Sequence, residues 1–415
     1  VDKSPVTPPV KKRFFYGYPI VIVSFFTLMI VYGVLYSYGV FMKPIVNELG
    51  WTRATTSGAY SLGMIVTGYL FMVTGQFNDV IGPRRLITIC GFLLGAGCLL
   101  MSLVQAAWQL YVFWGLIIGT GVSGGIVPIT STVARWFIKK RGLMTGLALA
   151  GIGFSQVAFP PLITLSITAY GWRTAFAIFG GFVLVALISL AQLLRRDPQT
   201  MGQHPDGEST PKPESTAQVT GFLLGEALFS RQLWLMCAAY FSHGYFLNSA
   251  LVHIVPHATD LGIPALTASS IMGFIGGLSI VGRIGIGSAS DRVGNRPTLI
   301  ASFILTTVSL LWLQVARELW MLYLFAVLFG IAYGGEIALL SPTVARLFGL
   351  TAHGSILGIV FFFTSLGGAL GPLLAGKIFD LTGTYYASFW VSTALAAAGV
   401  MFMVMLKPTH HSAIL

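Results

Sequence analysis

Apolar stretches of about twenty residues recur along the whole chain, as in Tyr18–Met42 and Leu319–Leu340. As helices, stretches of that length cross the hydrocarbon core of a bilayer. Barrel strands would show ten-residue alternation instead. Charged residues make up 9% of the 415 and hydrophobic ones 55%. A soluble domain normally carries about 25% charge, so this chain cannot cover a water-facing surface. The expected fold class is all-α integral membrane, with twelve transmembrane helices. The spans fall near 18–44, 54–77, 85–104, 108–136, 142–169, 172–194, 231–257, 264–289, 297–315, 319–346, 350–378 and 384–406.

The net charge of +11 does not indicate nucleic acid, because the basic residues sit in short loops between spans. Eighteen Lys and Arg residues fall on one side and five on the other; with Arg283 inside a span, they account for all 24. This is the positive-inside pattern, which puts both termini, including the basic segment Val1–Arg13, in the cytoplasm. Cys90, Cys98 and Cys237 lie within apolar stretches and read as packing residues. No metal site and no cofactor is expected.

Residues 197–220 are the one long polar stretch, rich in Pro, Ser and Thr, and read as a flexible linker. The expected organisation is a six-helix bundle over 1–196, a linker over 197–229 and a second bundle over 230–415. The halves repeat each other. TVAR occurs at 132–135 and 343–346, and Gly75–Arg85 matches Gly287–Pro297, with Asp79 and Asp291 at 212 residues' offset. Two such bundles form a transporter architecture with a midplane site between the halves.

The pattern Gly75, Asp79, Gly82, Arg84, Arg85 after the second span resembles the loop signature of the major facilitator superfamily, and a degenerate copy around Asp291 follows the eighth span. A narrower resemblance is to the monocarboxylate transporters and their bacterial oxalate/formate-type relatives. It is carried by ARWFIKKRGLMTGLALAGIGF (134–154), LVHIVPHATDLGI (251–263) and an arginine, Arg283, within span 8. The resemblance implies a bacterial inner-membrane protein in which that arginine binds the substrate carboxylate. It also implies an aromatic near Tyr333 that shapes the site. The chain departs from the family where mammalian carriers have a span 1 lysine and a span 8 aspartate. Here Tyr36 and Ser279 stand in those places. The second cation of the oxalate/formate exchanger, in span 11, is missing from GIVFFFTSLGG (358–368).

Charge depth singles out two residues. Arg283 lies about 12 Å inside from Asp291, counted at 1.5 Å per residue. A buried arginine is costly, and its planar fork suits a carboxylate. Glu336 is the one acid well inside a span, at similar depth. It is a candidate proton carrier, alone, paired with Arg283 or protonated through desolvation; it is equally a candidate structural glutamate. Tyr32, Tyr36, Tyr333, His243 and Asn248 are further candidates for substrate contact, and His243 also for proton coupling. Gly75, Asp79, Arg84, Arg85 and Asp291 are expected to form a gating loop.

One intramembrane cation argues for a monoanion, since a dicarboxylate would leave surplus negative charge in a poorly solvated site. The expected function is secondary transport of lactate- or pyruvate-like monocarboxylates by proton symport with alternating access. The partners are then the small anion, a proton and the lipid bilayer. The alternatives are organic-anion exchange and proton-coupled multidrug efflux; no enzyme motif is present.

Overall fold

The computed structural model describes residues 14–51, 53–207 and 221–406, and every element in them is helical. The expected cytoplasmic segment Val1–Arg13 and the polar stretch 208–220 lie outside the described residues. The first bundle contains α1 (Gly17–Leu49), α2 (53–81), α3 (83–101), α4 (Ala107–Trp136), α5 (Arg141–Tyr170) and α6 (Trp172–Leu193). The second contains α7 (Arg231–Asp260), α8 (Ala265–Val293), α9 (Asn295–Val315), α10 (Leu319–Phe348), α11 (His353–Thr382) and α12 (Tyr386–Met405).

Among the described residues, ten stretches are long and apolar enough to cross a membrane, one of them covering both α2 and α3. The twelfth helix, α7, falls short in hydropathy because Ser242, His243, Asn248, His253 and His257 load it with polar groups. The α2–α3 break sits at Gly82, whose φ of 79° suits glycine, followed by Pro83. Helix α4 is irregular. It runs through a π-helical segment, Tyr111–Ile118, and breaks again at Gly124 and Gly125.

The linker reading needs correction over its first ten residues. Residues 198–207 form two 3₁₀ turns packed against the first bundle, with Pro198 and Pro205 buried. Asp206 Oδ2 accepts from the backbone N–H groups of Ile138 and Lys139, at 3.0 and 2.9 Å. Gln203 accepts from Tyr16 N–H and donates to Phe14 C=O. Side chains that satisfy otherwise orphaned backbone groups order a stretch whose composition reads as flexible.

The two bundles meet along two seams, α2 against α11 and α5 against α8. Both are lined with glycine. A Cβ at Gly75 would collide with Gly354 C=O, one at Gly358 with Phe71 C=O, and one at Gly146 with Arg283 C=O. Small residues let the helices approach backbone to backbone.

At the basic face each seam ends in a carboxylate capping a helix of the other bundle. Asp79 accepts from the N–H of Gly354 (3.2 Å) and of Ser355 (2.9 Å), and from Ser355 Oγ (2.9 Å). Asp291 accepts from the N–H of Gly142 (2.8 Å) and of Leu143 (2.9 Å). A helix N-terminus carries unpaired N–H groups and partial positive charge, so both contacts are charge-assisted. Arg135 adds an ion pair to Asp79 (3.4 Å) and donates to Leu350 C=O (2.7 Å). Both seams are therefore shut at the basic face.

Neutralising either cap removes bonds of about 1.5 kcal/mol or more, roughly a tenfold change in a two-state ratio. Asp79→Asn and Asp291→Asn should each speed maleimide labelling of a Thr145→Cys thiol from the basic face. Thr145 is buried on α5 beside Gly146, where the backbone of α8 packs against α5, so labelling reports opening of that seam. An unchanged rate in both variants would show that the caps do not hold it closed.

Candidate functional site

Arg283 sits on α8 at the α5 seam and is 2% exposed. Its Nη1 donates to Ser279 Oγ one turn earlier (3.0 Å), and Ser279 Oγ donates to Gly276 C=O (2.6 Å). The guanidinium carbon lies 5.7 Å from the ring centroid of Tyr333 on α10. Nε is buried without a partner. An arginine offers five N–H donors, so the guanidinium retains capacity for an anion. Glycine provides its berth: a Cβ at Gly153, on the opposite bundle, would stand 2.9 Å from Nη1.

Tyr32 and Tyr36 face this cluster from α1, their rings 5.9 Å apart, and both lie within electrostatic reach of Arg283. Both are half-buried. Gly39, one turn beyond Tyr36, has open space where a side chain would be. Gly334 lets α10 press on the Ser279 backbone of α8, holding Tyr333 near the guanidinium.

Glu336 goes elsewhere. Although one turn from Tyr333, it turns toward α7 and α9 and is fully buried. His243 Nδ1 is 2.5 Å from its Oε2, and Thr306 Oγ1 donates to Oε1 at 2.6 Å. Tyr240 OH donates to its backbone carbonyl (2.7 Å). The expected option of a Glu336–Arg283 pair is replaced by His243, because the two residues leave their helices in different directions. His243 Nε2 is buried with no partner. The arrangement is a fully buried His–Glu dyad whose second imidazole nitrogen has no protein partner.

Other expected residues scatter. Asn248 donates to Gly244 C=O on its own helix (3.0 Å) and abuts Gly368 of α11. Gly75, Asp79 and Asp291 join at the seams, as described above. Arg84 donates instead to Gln192 of its own bundle (2.9 Å), and Arg85 lines a surface recess with Arg195 and Arg196. Two residues not named from the sequence matter here, Thr306 and Gln156, together with Ser279, which the sequence shows only as standing where the family has an aspartate. Each is a neutral polar residue inside an apolar span, a weak signal next to a charge. Among the described residues, no group of His, Cys, Asp and Glu is placed to hold a metal ion.

The dyad predicts a double-mutant signature in melting temperature. Breaking a buried pair by removing one partner costs about 3–5 kcal/mol. His243→Ala and Glu336→Ala should each lower the Tm of the purified protein. The double variant should fall well short of additivity, with a coupling of about 1–3 kcal/mol. Strict additivity would mean the two side chains do not interact.

Residues 24–289 and 284–414 match the Major Facilitator Superfamily. Monocarboxylate transporter 13 of Rattus norvegicus is 31% identical over 396 residues, covering 94% of this chain and 89% of the relative. Monocarboxylate transporter 2 of Homo sapiens is 24% identical over 420 residues, covering 97% and 87%. In three dimensions the chain resembles a proton:xylose symporter, with a TM-score of 0.76, 15% identity and 95% and 96% coverage. It also resembles the human organic anion transporter MFSD10, with a TM-score of 0.70, 16% identity and 96% and 100% coverage.

Proposed function

The chain belongs to the major facilitator superfamily and, within it, to the monocarboxylate transporter family; from that premise we propose that it carries small monocarboxylate anions together with a proton by alternating access. The observation that carries this reading is Arg283: a guanidinium buried where the bundles meet, with unspent donors and three tyrosines around it. It is the one described cation on that seam at mid-depth, so one carboxylate balances it. The tyrosine rings suit a short organic tail.

In this reading the proton travels on the His243–Glu336 dyad. A monoanion moving with one proton transfers no net charge. The dyad and the anion site share α10, which carries Tyr333 and Glu336 on different faces, so a tilt of that helix moves both. Positive-inside counting supports the basic face as the cytoplasmic one. The seams are shut at that face, so the anion enters from outside. Rocking of the bundles then breaks the Asp79 and Asp291 caps and releases both ligands inward.

A second reading is anion exchange without a proton. The complete burial of Glu336 and its commitment to His243 and Thr306 favour it. Multidrug efflux of cations is opposed by the charge of Arg283.

Uptake of labelled lactate into proteoliposomes separates the readings. Wild-type uptake should follow an inward-directed pH gradient, and Arg283→Ala should reduce it by at least about 100-fold, the loss of a charge-assisted bidentate contact. Glu336→Gln should keep lactate counterflow while losing acceleration by the gradient. Full transport in Arg283→Ala excludes the carboxylate role. Gradient-driven uptake that survives Glu336→Gln excludes the dyad as the proton carrier.

A further inference from the structure

The α5–α8 seam holds two reciprocal insertions. Arg283 of α8 projects over Gly153 of α5, whose absent side chain leaves room for Nη1. Gln156 of α5 projects over Gly276 of α8, where a Cβ would stand 2.6 Å from the amide Oε1. The two are linked along one stretch of α8, because Arg283 bonds Ser279 Oγ and that hydroxyl bonds Gly276 C=O. On α5, Gly153 and Gln156 are one turn apart, about 4.5 Å along the axis. The amide thus lies about a turn beyond the guanidinium, on the same seam. Gln156 is half-buried, and Tyr36 of α1 lies close to its amide.

We propose that Gln156, with Tyr36, is the specificity-determining pole of the site and selects 2-hydroxy and 2-oxo monocarboxylates over unsubstituted alkanoates. The proposal rests on the reading of Arg283 as the carboxylate anchor. An acid held by Arg283 has its second carbon within a bond length or two of the carboxylate. A hydroxyl or carbonyl there comes level with a group that both donates and accepts, since a carboxamide has N–H donors and a carbonyl oxygen. A 2-hydroxyl uses either side of the amide; a 2-oxo group uses its N–H. An alkanoate brings nothing to pair with the amide and excludes the water that would. Sites built around a hydrogen-bonding substituent reject the analogue that lacks it far more strongly than apolar walls reject a change in size. Tyr36 neighbours the amide on the first bundle, and Gly276 gives it room on the second. Both bundles therefore contribute to selection, as one does to charge neutralisation.

The test is the ratio of KM for propionate to KM for lactate in proteoliposome uptake. It is measured for wild type, Gln156→Leu, Gly276→Ala and Arg283→Ala. Wild type should favour lactate by about 10-fold or more. Gln156→Leu should bring the ratio to near 1, chiefly through KM for lactate. Gly276→Ala, which crowds the amide from the other bundle without touching its chemistry, should shift the ratio the same way. A merely structural role would raise both constants together and leave the ratio fixed, and that result overturns the proposal. A wild-type ratio near 1 overturns it too, whatever the variants do. If Arg283→Ala transports both acids as well as wild type, the carboxylate anchor itself is refuted. If the anchor holds and Gln156→Leu keeps the wild-type ratio, only the selection pole is refuted.

Discussion

A guanidinium removed from water at a helix seam constrains everything around it. Arg283 loses hydration on all sides, and one serine hydroxyl and one aromatic face replace only part of it. The helix that carries it must press close to α5 and α10, which requires Gly153 and Gly334 at the facing positions. A side chain at either would force the helices apart and admit a wider, wetter gap. The incomplete pairing of the arginine is what leaves capacity for an anion. A fully satisfied arginine would be a structural strut.

The seams reveal how a duplicated fold became asymmetric. Asp79 caps Gly354 and Ser355, while Asp291 caps Gly142 and Leu143. Both members of each contact are offset by the same 212 residues that relate Asp79 to Asp291 in the sequence. Farther in, the carbonyl of Phe71 faces Gly358 as that of Arg283 faces Gly146, again at 212 residues. The backbone geometry is shared, and the chemistry is not: one copy has a phenyl ring where the other has a guanidinium. The carboxylate caps are present in both halves, so each seam is tied at the same end. A second cation at the position of Phe71 would face Arg283 at the same depth, and the two would repel each other.

Much of this was legible in the chain. The twelve spans follow from apolar length, and the loop glycine at 82 announces the sharp turn that breaks α2 from α3. Arg283 and Glu336 stand out because charge inside a span is rare and costly. Partners are not encoded in the same way. Depth along a helix is counted from its charged end, and on that basis Arg283 and Glu336 looked like neighbours. Their azimuths differ, and Glu336 instead meets His243, 93 residues away in the chain. The order in residues 198–207 was hidden for a related reason. Composition counts Pro, Asp and Gln as loop formers, whereas here Asp206 and Gln203 satisfy backbone groups of distant segments. Gln156 carries no such signal, because a neutral amide in a span costs little enough to pass as packing.

By itself the sequence determined the number of spans, the duplication, the sidedness of charge and the depth of each buried ionisable group. These are one-dimensional quantities, set by hydrophobic length and by which loops carry cations. Only the tertiary structure decided which side chains meet. At a given depth the partner depends on how each helix is rotated about its axis. That rotation is set by which glycines admit which neighbouring backbone, a property of helix pairs that no single span encodes.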